Sequence, residues 1–388
     1  MSAFTNNLTE FCSDPDANGN TEAWGAGPHW LKNEVLHHTP FIASGTGLAP
    51  RDGSGNPTKG YVPVAYSSND VMWARAKWRG NIDPNIENDL YVYFSAYIGG
   101  GDVVSTHVHL IRGDDGSWVM DDVSAKLSET FAEICGQKAM YNPAFELTWK
   151  LYVGAEGASK SRDAGVSESC LYVTYDDPRA QSSGKLYHSV VHIGCKAAQG
   201  QTTEQNVFEQ IWGKFAGDNI CLYSVTIENG VVNDAEAGNE LYYYKQAWIQ
   251  SYSSTQKLLQ YKDGTCYAWA DFLADTLRCQ GIKAISKKIQ PNSEVTEWNG
   301  HSIYLESLIA QEGEGKHHNV PPKEWQWLDH KIVEYAGFFY DPSYGKKYDT
   351  FRDMVDAFSF QYRDYTTSNN TVIIAGTDVD ENWLVFGS

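Results

Sequence analysis

The stretch DGTCYAWADFLADTLRCQGIKA, residues 263–284, decides how the second half of the chain folds. Turn-forming residues lead to Thr265, a residue type that caps helix N-termini well. Apolar residues then recur at helical spacing as far as Gly281, which can end a helix in the left-handed conformation. The pattern predicts a helix that begins at Cys266 and ends near Gly281.

Cys266 occupies the first turn of this predicted helix. Unpaired N–H groups and the positive end of the helix dipole stabilise a thiolate there, and the thiolate is the nucleophilic form of cysteine. The same N–H groups could form an oxyanion hole, and Gln260, six residues upstream, is a candidate side-chain donor for it. A cysteine at the start of a helix can also be a small buried residue with no chemical role.

The segment DHKIVEYAGFFYDPSYG, residues 329–345, offers a base and an orienter for such a nucleophile. Two strand-like runs flank a turn, so a hairpin would bring His330 and Asp341 opposite each other or one step apart. His301 starts another strand-like run and is a rival base, although no aspartate follows it at hairpin distance. We therefore favour His330 as the base and Asp341 as the residue that orients it.

Three blocks follow one another along the chain. They are G-x-C-x-x-x-A-x-x-x-x-x-x-L-R-x-x-G-I-x-A from Gly264 to Ala284, H-x-x-V-E from His330 to Glu334 and Y-D-P-S from Tyr340 to Ser343. Together they resemble the transglutaminase-like superfamily, which shares a papain-like core, over roughly residues 203–360. The resemblance implies that Cys266 is the nucleophile, His330 the base and Asp341 the orienter.

Composition divides the chain into three parts. Residues 1–60 are rich in Gly, Pro, Asn, Asp and Ser, and we interpret them as an irregular lead-in. Residues 61–197 contain short β-branched and aromatic runs separated by turn residues, which predict an all-β sandwich. A polar segment follows, and residues 198–388 form the transglutaminase-like catalytic domain. The predicted fold is multidomain, with an N-terminal β-sandwich before an α+β papain-like core.

Local patterns predict individual elements around this boundary. LYHSVVHIG, residues 186–194, is interpreted as the last strand of the sandwich. Thr202 and Gln205 can form a capping box for a helix over about residues 203–216. A second helix is expected within residues 240–260, and strand-like runs follow the helix of Cys266.

The charge and hydropathy of the chain exclude several functions. Forty-nine acidic residues against 30 basic ones give a net charge of −19, which disfavours nucleic acid and anionic membranes as partners. No apolar run is long enough for a membrane span, and the start MSAFTNNLTEFC lacks the features of a secretory signal. We expect a soluble chain whose compartment the sequence does not assign.

Metal binding is also disfavoured. The seven cysteines form no CxxC pair and no metal-ligand spacing, and we expect Cys279 to be a packing residue. His107 and His109 project to one face of a predicted strand, but no carboxylate or cysteine at ligand spacing accompanies them. The adjacent His37 and His38 are uninformative. The sequence therefore predicts no metal and no cofactor.

The function we expect is acyl transfer at an amide bond. The Cys266 thiolate attacks the carbonyl to give a thioester, which water or an amine then resolves. For a bacterial-type chain of this kind we favour hydrolysis of a peptide or isopeptide bond, hence a cysteine peptidase or amidase with a peptide or protein substrate. A protein-crosslinking transglutaminase, or a non-catalytic binding or scaffold protein that retains the fold, is the alternative. The β-sandwich could contact a polymer or carbohydrate.

Overall fold

The computed structural model describes most of the 388-residue chain. The described residues are 7–12, 64–79, 90–113, 118–121, 125–154, 161–182, 186–217, 220–221, 225–228, 231–234, 240–243, 252–291, 296–299, 301–310, 326–327, 329–364, 366, 370–379 and 383–387. The predicted lead-in lies outside these ranges except for residues 7–12, and so do His37 and His38.

The first half forms one curled sheet, which has ten strands within the described ranges. They are β1 (Asn7–Cys12), β2 (Val64–Ser67), β3 (Val71–Arg79), β4 (Leu90–Ile98), β5 (Gly101–Val104), β6 (Val108–Arg112), β7 (Trp118–Met120), β8 (Ala125–Thr130), β9 (Met140–Val153) and β10 (Ser161–Thr174). The order is β1-β3-β7-β6-β4-β9-β10-β2, with β5 beside β4 and β8 beside β3. The β10–β2 pair is parallel, whereas β4, β9 and β10 pair antiparallel.

Alternation of side chains explains why these segments become strands. In β4, Leu90, Val92 and Phe94 are buried, while Tyr91 and Tyr93 on the opposite face are half-buried. A short helix α1 (Phe131–Cys135) follows β8 and begins with a capping box. The mainly β character of this half is confirmed, and β1 draws part of the expected lead-in into the sheet. The sandwich arrangement itself stays a prediction.

The strand predicted over residues 186–194 is wrong, because this segment is the helix α2 (His188–Ala197). Val190, Val191 and Ile193 are all buried, so the helix packs on several sides at once. A helix buried in this way has a continuous apolar run, which periodicity alone cannot distinguish from a buried strand. The helix belongs to the hydrophobic core of the second half, which also includes Tyr172 of β10.

Within its described residues, the second half combines helices with two five-stranded sheets. Its helices are α3 (Glu204–Gly217), α4 (Thr255–Tyr261), α5 (Cys266–Cys279), α6 (Phe351–Asp356) and a 3₁₀ turn (Gly376–Asp378). Its strands are β11 (Val225–Glu228), β12 (Val231–Asp234), β13 (Tyr242–Tyr243), β14 (Asp263–Gly264), β15 (Ile285–Pro291), β16 (Thr296–Trp298), β17 (His301–Ala310), β18 (Gln326–Trp327), β19 (His330–Tyr335), β20 (Phe338–Asp341), β21 (Lys346–Tyr348), β22 (Phe358–Asp364), β23 (Asn370–Ala375) and β24 (Leu384–Gly387).

The sheet next to α5 has the order β21-β20-β19-β15-β24. The other sheet runs β16-β17-β22-β23, with β18 beside β17, and the pairs β11–β12 and β13–β14 stand apart. The described chain is thus mostly strand with some helices, which confirms an α+β architecture in broad terms. The helices of the described ranges lack the length and apolar character that crossing a bilayer requires.

Helix α3 confirms the helix predicted over residues 203–216, but its capping residue differs by one position. The backbone N–H of Asn206 donates to Thr203 Oγ1 at 3.3 Å. Thr203 rather than Thr202 therefore caps the helix, because the helix begins at Glu204 and the capping residue precedes its first turn. The second helix expected within residues 240–260 is α4, which begins at Thr255.

Helix α5 lies at the centre of the second core and closely approaches the first half. It ends as predicted, with Gly281 at φ +80° and its N–H bonded to the Arg278 carbonyl at 3.0 Å. A Cβ on Gly281 would lie 2.6 Å from Asp176 Cβ, so this turn requires glycine for its conformation and for the close approach. Ser182 of the same connecting segment donates its hydroxyl to Asp275 at 2.6 Å. These contacts hold the end of β10 against α5.

Candidate active site

Cys266 is the first residue of α5, as the sequence predicts. Thr265 is the N-cap and has an extended backbone, but its side chain makes no capping hydrogen bond to the helix. Its backbone N–H instead donates to the Tyr252 carbonyl at 2.9 Å, which fixes the approach to the helix. The first turn of α5 therefore lacks the usual hydrogen bond from a threonine side chain. The backbone N–H groups beside Cys266 are not used by that bond.

A short parallel strand pair sets the position of this helix end. Strand β14, immediately before Thr265, pairs with β13, with Tyr243 opposite Gly264. From α5, the Trp269 indole N–H donates to the Tyr242 carbonyl at 3.2 Å. The nucleophile candidate thus stands on a rigid strand-to-helix junction rather than on a long loop.

The predicted hairpin is present in β19 and β20. Its turn contains Ala336 and Gly337 at φ +51° and +83°, the backbone of a tight hairpin turn. Val333 pairs with Tyr340 in this hairpin. Extending the same register places Asp341 across from Ile332, which is two residues after His330. The pair is therefore diagonal, not opposite or one step apart, and a two-residue offset keeps both side chains on one face.

The side chains of His330 and Asp341 meet despite this offset. Nε2 of His330 lies 2.7 Å from Asp341 Oδ2. The other carboxylate oxygen accepts the backbone N–H of Ser343 at 3.0 Å, which fixes its orientation. Cys266 lies near the His330 side chain and helps to raise the pKa of the imidazole. The structure thus brings together the three residues that the sequence selects, whose catalytic roles stay a prediction.

The charge state of His330 follows from these neighbours. Burial lowers its pKa, but the charge and hydrogen bond of Asp341, followed by the hydrogen bond and charge of Cys266, raise the pKa to about 10. The imidazole therefore holds two protons at neutral pH. An imidazolium between a carboxylate and a sulfur stabilises negative charge on both partners.

The trio is buried in this structure. Cys266 and His330 are each 1% exposed and Asp341 is 0% exposed. The rings of Tyr344 and Phe358 lie 5.9 and 5.6 Å from the His330 ring. An apolar cavity of about 10 Å³ also borders His330, which is room for about one water molecule. A polymeric substrate needs a wider opening than this to reach the sulfur.

The other sequence candidates lie away from this trio or outside the described side chains. Gln260 is exposed near the end of α4, and its assignment to an oxyanion hole stays a prediction. His301 begins β17, but its side chain is outside the described residues. The His107 ring contacts Tyr152 at 4.9 Å, and His109 lies 3.9 Å from Asp121, so both have neighbours on the sheet surface.

Sequence reasoning missed the polar residues that surround Cys266 and His330. Lys331 Nζ lies 2.7 Å from Asp271 Oδ1, and the Tyr267 hydroxyl lies near the Asp329 carboxylate, which helps to raise its pKa. Adjacency along the chain was the one available signal, since Tyr267 follows the nucleophile candidate and Asp329 and Lys331 flank the base candidate. Their contact depends on how α5 packs on the sheet, which no local pattern encodes.

The geometry of the trio is suited to nucleophilic attack by sulfur on an electrophilic carbon, with the imidazolium as proton donor to a leaving group. No group of three or more metal-ligating side chains occurs among the described residues. No protein-family model matches the chain, and no curated protein matches it significantly.

Proposed function

We propose that the protein is a cysteine-dependent acyl-transfer enzyme that hydrolyses a peptide or isopeptide bond. The observation that carries the proposal is the contact of His330 with Asp341 at 2.7 Å beside Cys266, which lies at a helix N-terminus and helps to raise the pKa of His330. Packing alone does not explain why a buried carboxylate and a buried imidazole contact each other next to a thiol. In this proposal the second half is a transglutaminase-like, papain-like core, and the curled sheet before it belongs to a β-sandwich domain.

The reaction assigns one role to each member of the trio. Cys266 Sγ forms a bond to the carbonyl carbon, and the first-turn N–H groups of α5 stabilise the oxyanion. His330 then donates its proton to the leaving nitrogen, the C–N bond breaks, and a thioester remains. Water attacks the thioester, gives its proton to His330, and releases the acid with the free sulfur. Asp341 orients the imidazole and stabilises its positive charge throughout.

Gln260 is the candidate side-chain donor to the oxyanion in this scheme. If it contributes, Gln260→Ala lowers kcat by about 100-fold or more, the usual cost of removing one such donor. A smaller loss assigns the oxyanion hole to the backbone N–H groups of α5. Transfer to an amine instead of water is distinguished by adding a primary amine and measuring the mass of the product.

Burial of the trio favours a second candidate function, a binding or scaffold protein that retains the fold without turnover. Cys266 at 1% exposure is inaccessible to a peptide in this conformation. The enzyme hypothesis requires that the site opens, whereas the scaffold hypothesis requires that it stays closed. The reactivity of Cys266 in solution separates the two.

The deciding experiment treats the full chain with a thiol-reactive peptide electrophile near pH 7 and maps the modified cysteines by mass spectrometry. Cys135 is the internal control, because it is more exposed than Cys266 and has no histidine or aspartate described beside its sulfur. The enzyme hypothesis predicts that Cys266 reacts before Cys135 despite its burial. Modification of Cys135 with Cys266 intact would favour the scaffold hypothesis.

A further inference from the structure

Two residues flank His330 along the chain, and both contact helix α5. Lys331 Nζ lies 2.7 Å from Asp271 Oδ1 and 5.3 Å from the centre of the Tyr267 ring. Burial and the nearby Asp329 carboxylate raise the pKa of the Tyr267 hydroxyl. The strand that carries the base candidate is therefore tied to the nucleophile helix on both sides of the base.

The spacing of these residues explains how they meet. Tyr267 and Asp271 are four residues apart on α5 and so lie on one side of the helix. Asp329 immediately precedes β19 and Lys331 is its second residue, so the two are separated by the one residue His330. Lys288 on the neighbouring strand adds a second ion pair, with its Nζ 2.9 Å from Asp329 Oδ2. Several polar contacts thus join helix α5 to the strands next to it, close to His330.

These contacts are stronger than ordinary surface ion pairs. The side chains of Lys331 and Asp271 are 18% and 12% exposed, so water screens their attraction less than at a free surface. Ser286 Oγ donates to the same Asp271 oxygen at 2.9 Å and holds the carboxylate in place. The lysine is further restrained by the aromatic ring beneath it.

We propose that Tyr267, Asp271, Asp329 and Lys331, named here the flanking clamp, position Cys266 Sγ against the His330 ring. The inference rests on the proposed function, because it concerns the reactivity of that sulfur. The four residues act through Cys266 and His330 and are positioning residues. A displacement of about 1 Å between reacting groups can cost about 100-fold in rate, so a modest loosening of α5 against β19 is sufficient to matter.

The test uses two substitutions that keep size and remove one contact each. Lys331→Met keeps the aliphatic stem and removes the charge, and Tyr267→Phe keeps the ring and removes the hydroxyl. The measurement is the second-order rate of Cys266 alkylation by iodoacetamide from pH 5 to pH 9, with the site mapped by mass spectrometry. Thermal unfolding of each variant is recorded beside it.

The chain offers a matched control for each substitution. Lys287 forms an ion pair with Glu334, and its Nζ lies 4.7 Å from the centre of the Phe386 ring, so Lys287→Met removes the same kinds of contact from the same sheet without removing a contact to α5. Tyr335 donates its hydroxyl to Glu204 Oε1 at 3.1 Å, so Tyr335→Phe removes a tyrosine–carboxylate bond between another helix and β19. Neither control residue is next to Cys266 or His330 in sequence.

The two clamp variants should lower the Cys266 alkylation rate at pH 6 by about 10-fold or more, which is about 1.4 kcal/mol. Their rate should then rise steeply above pH 8, as for a thiol without an imidazolium partner. The two control variants should keep the wild-type profile. The shape of the pH profile does not depend on access to the sulfur, which changes the rate equally at every pH.

Other outcomes overturn the proposal in distinguishable ways. If wild-type Cys266 shows the steep profile of an ordinary thiol, the proposed function and the clamp fail together. If wild-type Cys266 reacts readily at pH 6 and the clamp variants behave as the controls do, the clamp fails and the proposed function stands. Should Lys331→Met not fold, Tyr267→Phe decides alone, since it removes a single oxygen.

Discussion

Cys195 and Cys266 are buried in the same hydrophobic core, but their sulfurs have different neighbours. Cys195 lies inside α2, where Gln280 Nε2 donates to its sulfur at 3.3 Å. Burial raises the pKa of Cys195 to about 12, against a smaller lowering by the Gln280 hydrogen bond. Cys266 lies at a helix N-terminus and near His330, whose pKa it helps to raise. The first thiol has a neutral partner and the second a positively charged one.

The difference shows that burial alone does not make a cysteine inert or reactive. A sulfur in an apolar core keeps its proton, because a buried charge without a partner is costly. A buried imidazolium beside a sulfur supplies an opposite charge, and Asp341 in turn stabilises the imidazolium. Each substitution proposed below changes either Cys195 or the site of Cys266, and leaves the other thiol in place.

The largest effect is expected from Cys266→Ala, which should abolish turnover of any amide that the chain hydrolyses. The substitution removes one buried sulfur, and we expect a loss of about 1 kcal/mol in the free energy of unfolding. Hydrolysis of a fluorogenic peptide amide and urea unfolding measure the two quantities. A loss of several kcal/mol with residual activity would assign Cys266 to the packing role of Cys195.

Asp341→Asn should lower kcat by about 1,000-fold to 10,000-fold while the protein stays folded. The amide keeps the shape of the carboxylate but favours the wrong imidazole tautomer and removes the charge that stabilises the imidazolium. His301→Ala is the control and should retain most of the activity. If His301→Ala is inactive and His330→Ala is active, the base lies on β17 and the trio must be redrawn.

Local sequence signals were sufficient to predict the elements that carry part of this site. The turn before Cys266 and the closing Gly281 define α5 at both ends, and the turn before Phe338 defines the hairpin of β19 and β20. Each of these signals acts within a few residues, so it can be recognised in the sequence without knowledge of the tertiary structure. The same is true of the alternating apolar residues in β4.

The remaining features depend on which segments pack together. Helix α2 was interpreted as a strand because periodicity does not separate a short, mostly buried helix from a buried strand. The diagonal register of His330 and Asp341 depends on where pairing begins after the turn, which the two runs do not specify. The contact between Lys331 and Asp271 joins residues 60 apart. No pattern within one element encodes such a contact.

The stability of the protein should fall as the pH rises through the pKa of His330. This pKa is about 10 in the folded chain, above the ordinary value of 6.5. A group whose pKa is raised by folding contributes its full stabilisation below the lower value and loses it as pH passes the higher one. We therefore expect the free energy of unfolding to decrease between about pH 6.5 and pH 10.

Comparison with His330→Gln isolates this contribution, since lysines and tyrosines elsewhere titrate in the same range. The difference in unfolding free energy between wild type and variant, measured by urea unfolding at each pH, should narrow as the pH increases. A constant difference from pH 6 to pH 10.5 would mean that His330 is neutral in the folded state, as expected of a histidine with no anionic partner.

The smallest effect on chemistry is expected from Cys195→Ala, the counterpart of the first substitution. It removes a buried sulfur and leaves Gln280 Nε2 without the acceptor that it has at 3.3 Å, so the free energy of unfolding should fall by about 1–3 kcal/mol. The alkylation rate of Cys266 and its pH profile should not change, because Cys195 lies on α2 and makes no described contact with His330 or Asp341. Cys195→Ser is the matched variant, since its hydroxyl can still accept from Gln280 and should recover part of the lost stability. An altered Cys266 profile in either variant would mean that the core transmits a change at one thiol to the other, and reactivity would then be a property of the core rather than of the contacts made by His330.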